Sequence, residues 1–346
     1  MHEKRFKKIG IWNTAFLGDA VLTLPLIQKV KATYPEAEVH FFVRKGFESL
    51  FQAQRELTST RGYAKRGDQK SLKAAVNYAH SLRNENFDLW ISSHTSMRSA
   101  LIAHQSAIPN RIGFDSPWYN KFAYTQTVDR KFNELEEIER LFQLAEPLGI
   151  TLPAPAPRMD LPIEDTEYAE SLFQRRVGDK PCVGIHPGST WPTKCWPADY
   201  FTRLIEIAVD NGVTPVLFGG PGEEALAQKI IYDANVPASA VMDLSGQLTL
   251  TRLAACISML SVYVTNDSGP MHISWVQNVP TVAFFGPTVK ELGFFPRGQN
   301  SIVLEEKMDC RPCGLHGHKK CPKSHHNCMK NITPERAWDA IKVFCS

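Results

Sequence analysis

Several features that would assign a class at once are missing from this sequence. No apolar run approaches the ~20 residues that a helix needs to cross a bilayer. The basic N-terminus is not followed by the apolar segment and cleavage site of a secretory signal. Lysine and arginine number 39 against 36 aspartates and glutamates, and the net charge of +3 gives no argument for a nucleic-acid partner. We therefore expect a cytoplasmic protein that binds no nucleic acid.

The 346 residues are enough for two domains that each bury a core. Residues 152–162 are rich in proline, which lacks a backbone N–H, and they cannot form a helix or a central strand. We place a linker here. It separates a first domain, residues 1–160, from a second domain, residues 161–332. A terminal segment, residues 333–346, is predicted to be helical and could pack back on the first domain.

Both halves alternate short apolar runs with helical patterns. Strands are predicted at residues 9–12, 38–43, 88–94, 182–186, 214–218 and 261–265. Helices are predicted at residues 20–34, 134–148, 166–176, 198–210, 249–260 and from about 267. The alternation predicts the α/β class, with two doubly wound, Rossmann-like domains facing each other across a cleft. The loop after the first strand is not G-x-G-x-x-G, so a dinucleotide fingerprint is absent.

A strand-to-helix junction at Asp267, Ser268 and Gly269 is the strongest local signal. The helix is expected to begin at Asp267 or Ser268, where its free N–H groups would seat a phosphate. Asp267 could then face hydroxyl groups of the molecule that carries the phosphate. The alternative is an ordinary N-cap pair that opens a helix. His272 lies one turn further on, and it could contact a sugar or phosphate or simply pack.

Other loops of the second half carry residues of matching chemistry. Ser189, Thr190 and Lys194 follow the first strand and offer hydroxyls and a cation to a diphosphate, although Lys194 could equally be solvated. Glu223 or Glu224, after a glycine-rich turn, could accept hydrogen bonds from a ribose or stabilise a helix N-terminus. In the first half, Asp19 lies at a helix start, where it is either an ionised functional carboxylate or an N-cap.

Four of the eight cysteines form the pattern C-x₂-C-x₇-C-x₆-C, at Cys310, Cys313, Cys321 and Cys328. This spacing is typical of a tetrahedral thiolate metal site. Four reduced cysteines, or a disulfide in an oxidising compartment, are the alternatives. The ligand types do not separate zinc from iron.

Several motifs now occur in a recognisable order. They are Phe16-Leu-Gly-Asp19, Leu24-Pro25, Tyr34-Pro35, His186-Pro-Gly-Ser189, Lys194-x-Trp196-Pro197, Asn266-Asp-Ser-Gly-Pro-Met-His272 and Phe285-Gly-Pro-Thr288. As a set they resemble the ADP-heptose:lipopolysaccharide heptosyltransferases of glycosyltransferase family 9. The resemblance implies a GT-B fold with the acceptor on the first domain and the sugar nucleotide on the second.

The resemblance also implies roles for these residues. Asp19 would be the catalytic base, and Ser189, Thr190 and Lys194 would bind the donor diphosphate. Asp267 would hold the heptose hydroxyls, and the rest of the donor pocket would be Ser268, Gly269, His272 and the ribose-binding acid, Glu223 or Glu224. Related autotransporter-modifying heptosyltransferases hold iron through cysteines, which implies structural zinc or iron at the cysteine cluster.

The implied function is inverting transfer of heptose from ADP-L-glycero-β-D-manno-heptose to a lipid A–Kdo inner core. The enzyme would then work peripherally, at the cytoplasmic face of the inner membrane. The donor loops contain no Asp-x-Asp motif, so we expect catalysis without a metal ion. Alternatives are a GT-B transferase with another sugar nucleotide or an epimerase, a heptosyltransferase with a protein acceptor, and a non-catalytic sugar-nucleotide-binding protein.

Overall fold

The computed structural model describes residues 5–345. The chain divides into two compact units, one ending at Asp160 and the other beginning at Leu161. Each unit contains a sheet of six parallel strands, and helices separate most successive strands. None of the helices in the described part of the chain is both long and apolar enough to span a membrane.

The first unit begins the strand–helix alternation. Its strands are β1 Lys8–Asn13, β2 Glu38–Arg44, β3 Ser59–Tyr63, β4 Leu89–Ser92, β5 Asn110–Phe114 and β6 Gln126–Val128. Its helices are α1 Leu17–Leu22, α2 Leu24–Thr33, α3 Glu48–Gln52, α4 Leu72–Arg83, α5 Met97–Ser106, α6 Asn120–Ala123 and α7 Glu137–Gln143.

The second unit repeats the scheme. Its strands are β7 Cys182–His186, β8 Thr214–Leu217, β9 Met242–Asp243, β10 Val262–Asn266, β11 Thr281–Phe285 and β12 Ser301–Glu305. Its helices are α8 Ile163–Arg176, α9 Ala198–Asp210, α10 Glu224–Asp233, α11 Leu250–Ser258, α12 Gly269–Val276, α13 Asn327–Lys330 and α14 Pro334–Ile341.

The two sheets have the same strand order. In the first it is β3-β2-β1-β4-β5-β6, and in the second β12-β11-β10-β7-β8-β9. In both, the first and fourth strands of the unit are neighbours, so the order reverses between them. Open parallel sheets bind ligands at this switch point, outside the carboxyl ends of the strands. The predicted fold class, with two parallel doubly wound sheets, is confirmed.

Burial explains why the central strands read as continuous apolar runs. Every residue of β7, β10 and β11 is buried, as expected for strands covered by helices on both faces. Trp196 stacks on Phe284 with a centroid distance of 4.4 Å. Ala337 and Ile341 of α14 are fully buried in this same core. The apolar face of α14 is therefore used within the second unit, whereas the sequence suggested the first domain as its partner.

The single helix predicted for residues 20–34 is wrong. The chain breaks at Thr23 into α1 and α2, and Pro25 occupies the first turn of α2. Proline removes a helical hydrogen bond and clashes with the preceding turn, but it is tolerated in a first turn. The Thr23 hydroxyl donates to the Asp19 carbonyl at 2.8 Å, which stabilises the junction.

The acidic helix predicted for residues 134–148 is also different. Only Glu137–Gln143 is α-helical, and the whole of this helix is buried. Glu137 accepts from Arg130 at 2.7 Å and from the buried Arg140 at 3.0 Å. Glu137, Arg130 and Arg140 therefore form an ion-pair network within the first unit.

Candidate functional site

The loops after β7 and β10 leave adjacent strands at the switch point of the second sheet. They bring Lys194 and Asp267 together, with the Lys194 Nζ donating to Asp267 Oδ2 at 2.5 Å. Thr288 follows β11, and its hydroxyl donates to the same oxygen at 2.7 Å. All three side chains are buried. The structure thus brings a cation and a carboxylate from these two loops into direct contact.

The N-terminus of α12 distinguishes the two interpretations of Asp267. The helix begins at Gly269, and Ser268 is its N-cap residue in an extended conformation. Ser268 makes no side-chain capping bond, and its hydroxyl lies 3.2 Å from that of Thr265. Asp267 is engaged by Lys194 and does not cap the helix. The first-turn N–H groups of α12 therefore lack a side-chain cap, which suits an anionic ligand.

His272 lies in the second turn of α12 and is buried. Its Nδ1 accepts from the indole N–H of Trp275 at 3.1 Å. Burial lowers the pKa of His272 to about 4, with Asp267 opposing and Lys194 adding to the effect. His272 is therefore neutral at pH 7, and it lies within electrostatic reach of the Lys194–Asp267 pair.

Glu223 and Glu224 are adjacent in sequence but have different surroundings in the structure. Glu223 lies against the loop after β7, so close that a Cβ on Gly188 would be 2.0 Å from its Oε1. Its carboxylate is 3.4 Å from His186 Nε2. Burial opposes ionisation of Glu223, but His186 brings its pKa below the ordinary value. Glu224 packs instead against Gly246. Glu223 is thus the acid beside the predicted donor loop.

Ser189 and Thr190 lie on the same loop as Lys194. Ser189 is half-buried and Thr190 is exposed, so both hydroxyls are accessible. Lys194 itself ends a short 3₁₀ turn, Pro192–Lys194, which turns its side chain inward.

In the first unit, Asp19 occupies the third position of α1. Its carboxylate accepts the N–H of Phe16 at 3.1 Å, so it retains part of a capping function. The pKa of Asp19 is raised to about 6, first by burial and then by the negative charge of Glu137, while Arg130 opposes the shift. A carboxylate with this pKa can exchange a proton near neutral pH.

Sequence reasoning missed the neighbours of Asp19. His94, after β4, lies on the other side of the switch point, with its Nδ1 3.0 Å from the Thr14 hydroxyl. Burial lowers its pKa to about 3, and nearby cations contribute, namely Lys65, Arg98 and Arg130. Lys65 also interacts electrostatically with Asp19, and burial lowers its own pKa to about 8. These cations follow β3 and β6 or lie on α5, and no sequence motif connects them.

The cysteine cluster is only partly assembled. The thiols of Cys313 and Cys328 have raised pKa values, first because of burial and then because the other cysteines of the cluster are near. Burial would also raise the pKa of Cys321, but the backbone N–H groups of residues 323–326 bring it below the ordinary value. Among residues 5–345, no three His, Cys, Asp or Glu side chains converge on a point that could hold a metal ion. All eight cysteines are free, so the disulfide alternative is not observed.

The sequence is similar to those of known glycosyltransferases over most of its length. The family description "Glycosyltransferase family 9 (heptosyltransferase)" matches residues 75–323. The lipooligosaccharide heptosyltransferase 2 of Campylobacter jejuni is 27% identical over 339 residues, covering 97% of this chain and 98% of the relative. The lipopolysaccharide heptosyltransferase 2 of Escherichia coli is 25% identical, covering 97% and 98%.

Solved structures show the same architecture. A family 9 glycosyltransferase from Veillonella parvula has a TM-score of 0.87 at 20% identity, covering 99% of this chain and 98% of the other. The ADP-heptose lipopolysaccharide heptosyltransferase II of Escherichia coli has a TM-score of 0.79 at 24% identity, covering 98% of each chain. The iron-containing glycosyltransferase TibC of Escherichia coli has a TM-score of 0.63 at 15% identity, covering 99% and 77%. The family description matches most of the chain and these solved structures share its fold, so the chain is an enzyme that belongs to glycosyltransferase family 9, the heptosyltransferases.

Proposed function

We propose that the enzyme transfers heptose from ADP-heptose to a lipopolysaccharide inner-core acceptor, with inversion at the anomeric carbon. The observation that carries this proposal is the buried Lys194–Asp267–Thr288 cluster beside the uncapped N-terminus of α12. The names of the relatives, which are lipopolysaccharide and lipooligosaccharide heptosyltransferases, support the donor and the acceptor class.

Release of ADP from the donor depends on stabilising its negative charge. When the bond from C1 of the sugar to the diphosphate breaks, the departing ADP gains negative charge. Lys194 and the N–H groups of α12 would stabilise that charge as it develops, which lowers the barrier as well as aiding binding. Asp267 and Thr288 would hydrogen-bond the sugar hydroxyls, Glu223 would accept from the ribose, and the pocket would be completed by Ser189, Thr190, Ser268, Gly269 and His272.

Acceptor activation is assigned to Asp19. Its ionised carboxylate would remove the proton from the acceptor hydroxyl while that oxygen attacks C1 from the face opposite to ADP, so the configuration inverts. Lys65 and Arg130 interact electrostatically with Asp19, and these cations suit an acceptor that carries negative charges, as a lipid A–Kdo core does. Because such an acceptor is a membrane lipid, we place the reaction at the cytoplasmic face of the inner membrane, with the enzyme bound peripherally.

The decisive experiment is a transfer assay from ADP-heptose to truncated lipid A–Kdo cores and, in parallel, to protein acceptors. Product on the lipid cores alone is the expected result. Transfer only to protein would move the enzyme to the autotransporter-modifying type. A binding screen of ADP-, UDP- and GDP-sugars tests the donor, and preference for a UDP- or GDP-sugar would overturn the assignment of ADP-heptose.

We also propose a structural zinc or iron ion at Cys310, Cys313, Cys321 and Cys328. Support comes from the spacing, from the mutual proximity of the thiols and from the likeness in fold to the iron-containing TibC. As placed, the side chains do not converge, so they would have to rearrange to bind the ion. About one zinc or iron per chain is expected in elemental analysis of purified protein, and a metal-free, fully active preparation would end the proposal.

A further inference from the structure

The segment of residues 310–328, here named the cysteine strap, lies on the loop that carries Lys194. Thr193 bonds to it with all its polar groups. Its N–H donates to the His318 carbonyl at 3.2 Å, and its hydroxyl accepts from the His318 N–H at 2.7 Å. Its carbonyl lies 2.8 Å from the His326 Nε2. The strap thus fixes the backbone immediately before Lys194.

Gly317 brings the strap into direct contact with Lys194. A Cβ at this position would lie 2.6 Å from the Cβ of Trp191 and 3.0 Å from the Cγ of Lys194. Gly317 is buried, and it has no room for a side chain. The strap backbone therefore forms the wall against which the lysine side chain packs.

The strap also bonds to the loop after β11, which carries Thr288. The Cys313 N–H donates to the Pro287 carbonyl at 2.8 Å. The Arg311 guanidinium donates to the Phe285 carbonyl at 3.0 Å and to the Thr288 carbonyl at 2.7 Å. The side chains of Lys194 and Thr288 both donate to Asp267. One segment therefore positions both of them.

His316 is a strap residue whose side chain lies beside the loop that carries Lys194. Its ring is parallel to that of Trp191, at an interplanar angle of 3° and a centroid distance of 6.3 Å. Its side chain remains exposed, so a ligand can reach it. The surrounding protein atoms lower the pKa of His316, and it interacts electrostatically with Lys194 and Asp267. A neutral imidazole N–H beside the lysine can donate to a phosphate oxygen.

We propose that the cysteine strap completes the donor site, with its backbone positioning Lys194 and with His316 as a further donor-contact residue for the diphosphate of a nucleoside diphosphate. This inference rests on the proposed function, because it assumes that Lys194 binds the donor diphosphate. It adds to that function a contact made by a segment that sequence reasoning had treated only as a metal site.

The test is titration calorimetry with ADP on the full-length protein and its variants. His316→Ala is expected to weaken ADP binding about 10- to 100-fold, the usual effect of losing a hydrogen bond to a charged group. His316→Gln, which keeps an N–H donor, is expected to recover part of the loss. Gly317→Ala is expected to weaken binding by displacing Lys194. The control is Gly67→Ala, where a Cβ would meet nothing closer than 3.7 Å.

The outcomes separate the two levels of the proposal. If the wild type does not bind ADP, the proposed function fails. If the wild type binds, Lys194→Ala does not, and both strap variants bind as the wild type does, the strap inference is overturned while the function stands. In transfer assays, His316→Ala should raise the KM for the donor and leave the KM for the acceptor unchanged. A general structural defect would change both constants and lower the thermal unfolding midpoint.

Discussion

As the proposed catalytic base, Asp19 would have to be ionised to accept a proton, although its side chain is half-buried. Its pKa of about 6 follows mainly from burial. We expect kcat to fall when the pH drops through about 6, because one proton then binds to Asp19 and removes the base. Asp19→Ala is expected to lose about 10²–10⁴-fold in turnover. A pH–rate profile of the wild type and a single-pH assay of the variant check both points. Near-wild-type turnover in Asp19→Ala would remove the residue from the role of base.

The same shift predicts a stability effect. The unfolded chain ionises Asp19 near its ordinary pKa of 3.8, but the folded chain does so only at about 6. Stability therefore falls as the pH rises between these values and stays lower above pH 6. Asp19→Asn, which carries no charge, should be more stable than the wild type by up to about 3 kcal/mol at pH 7 and lose the advantage near pH 4. Urea unfolding of the variant and the wild type at the two pH values measures this difference in the free energy of unfolding. The same difference at both pH values would contradict the burial of the charge.

At this scale, prediction from sequence depended on whether a residue lies in a motif. Lys194 and Asp267 were found because each follows a strand in a short, recognisable loop. Glu223 and Glu224 are adjacent and chemically identical, so only the packing of Gly188 against Glu223 distinguishes them. His94 was visible only as the end of a strand, because its relation to Asp19 arises from strands that are distant in sequence.

Among the elements, α7 shows how a buried helix can adjust a functional group elsewhere in its unit. Glu137 raises the pKa of Asp19 and also neutralises the buried Arg140. Glu137→Gln should therefore shift the acid limb of the pH–rate profile to lower pH. It should also destabilise the protein by roughly 3–5 kcal/mol, because one partner of a buried ion pair is removed. The exposed Glu134→Gln is the matched control, and an unshifted profile in Glu137→Gln would rule out this coupling.

Helix boundaries were predictable where local chemistry decides them and not where tertiary contacts do. Pro25 lies within the helix predicted for residues 20–34, but the break falls at Thr23, which bonds to Asp19 and Asn13. In α7, Glu137 pairs with Arg130 and with the buried Arg140, and no sequence pattern connects these partners. The cysteine strap was predicted from its spacing alone, and its contacts with Thr193 and Pro287 could not be inferred from that spacing.

For the whole molecule, strand alternation was sufficient to predict two doubly wound sheets, because parallel strands need helical crossovers. The identical strand order of the two sheets was not predictable, since pairing joins segments that are distant in sequence. That order has a functional consequence within each unit. It brings β1 beside β4, which places Asp19 and His94 at one switch point, and β7 beside β10, which places Lys194 and Asp267 at the other.

Metal dependence is a property of the whole molecule. In the proposed mechanism, Lys194 and the N-terminus of α12 would supply the positive charge that the departing diphosphate needs, and the loops predicted to bind the donor lack an Asp-x-Asp motif. Initial transfer rates should therefore be unchanged by EDTA and by added Mg²⁺. Prolonged chelation is a separate condition, because it could remove an ion from the cysteine strap. Any loss of transfer activity in that condition should accompany a loss of bound metal and a loss of ADP affinity. Immediate loss of activity in EDTA that Mg²⁺ restores would show that the donor site needs a divalent ion, and Lys194 would then not be the group that stabilises the leaving diphosphate.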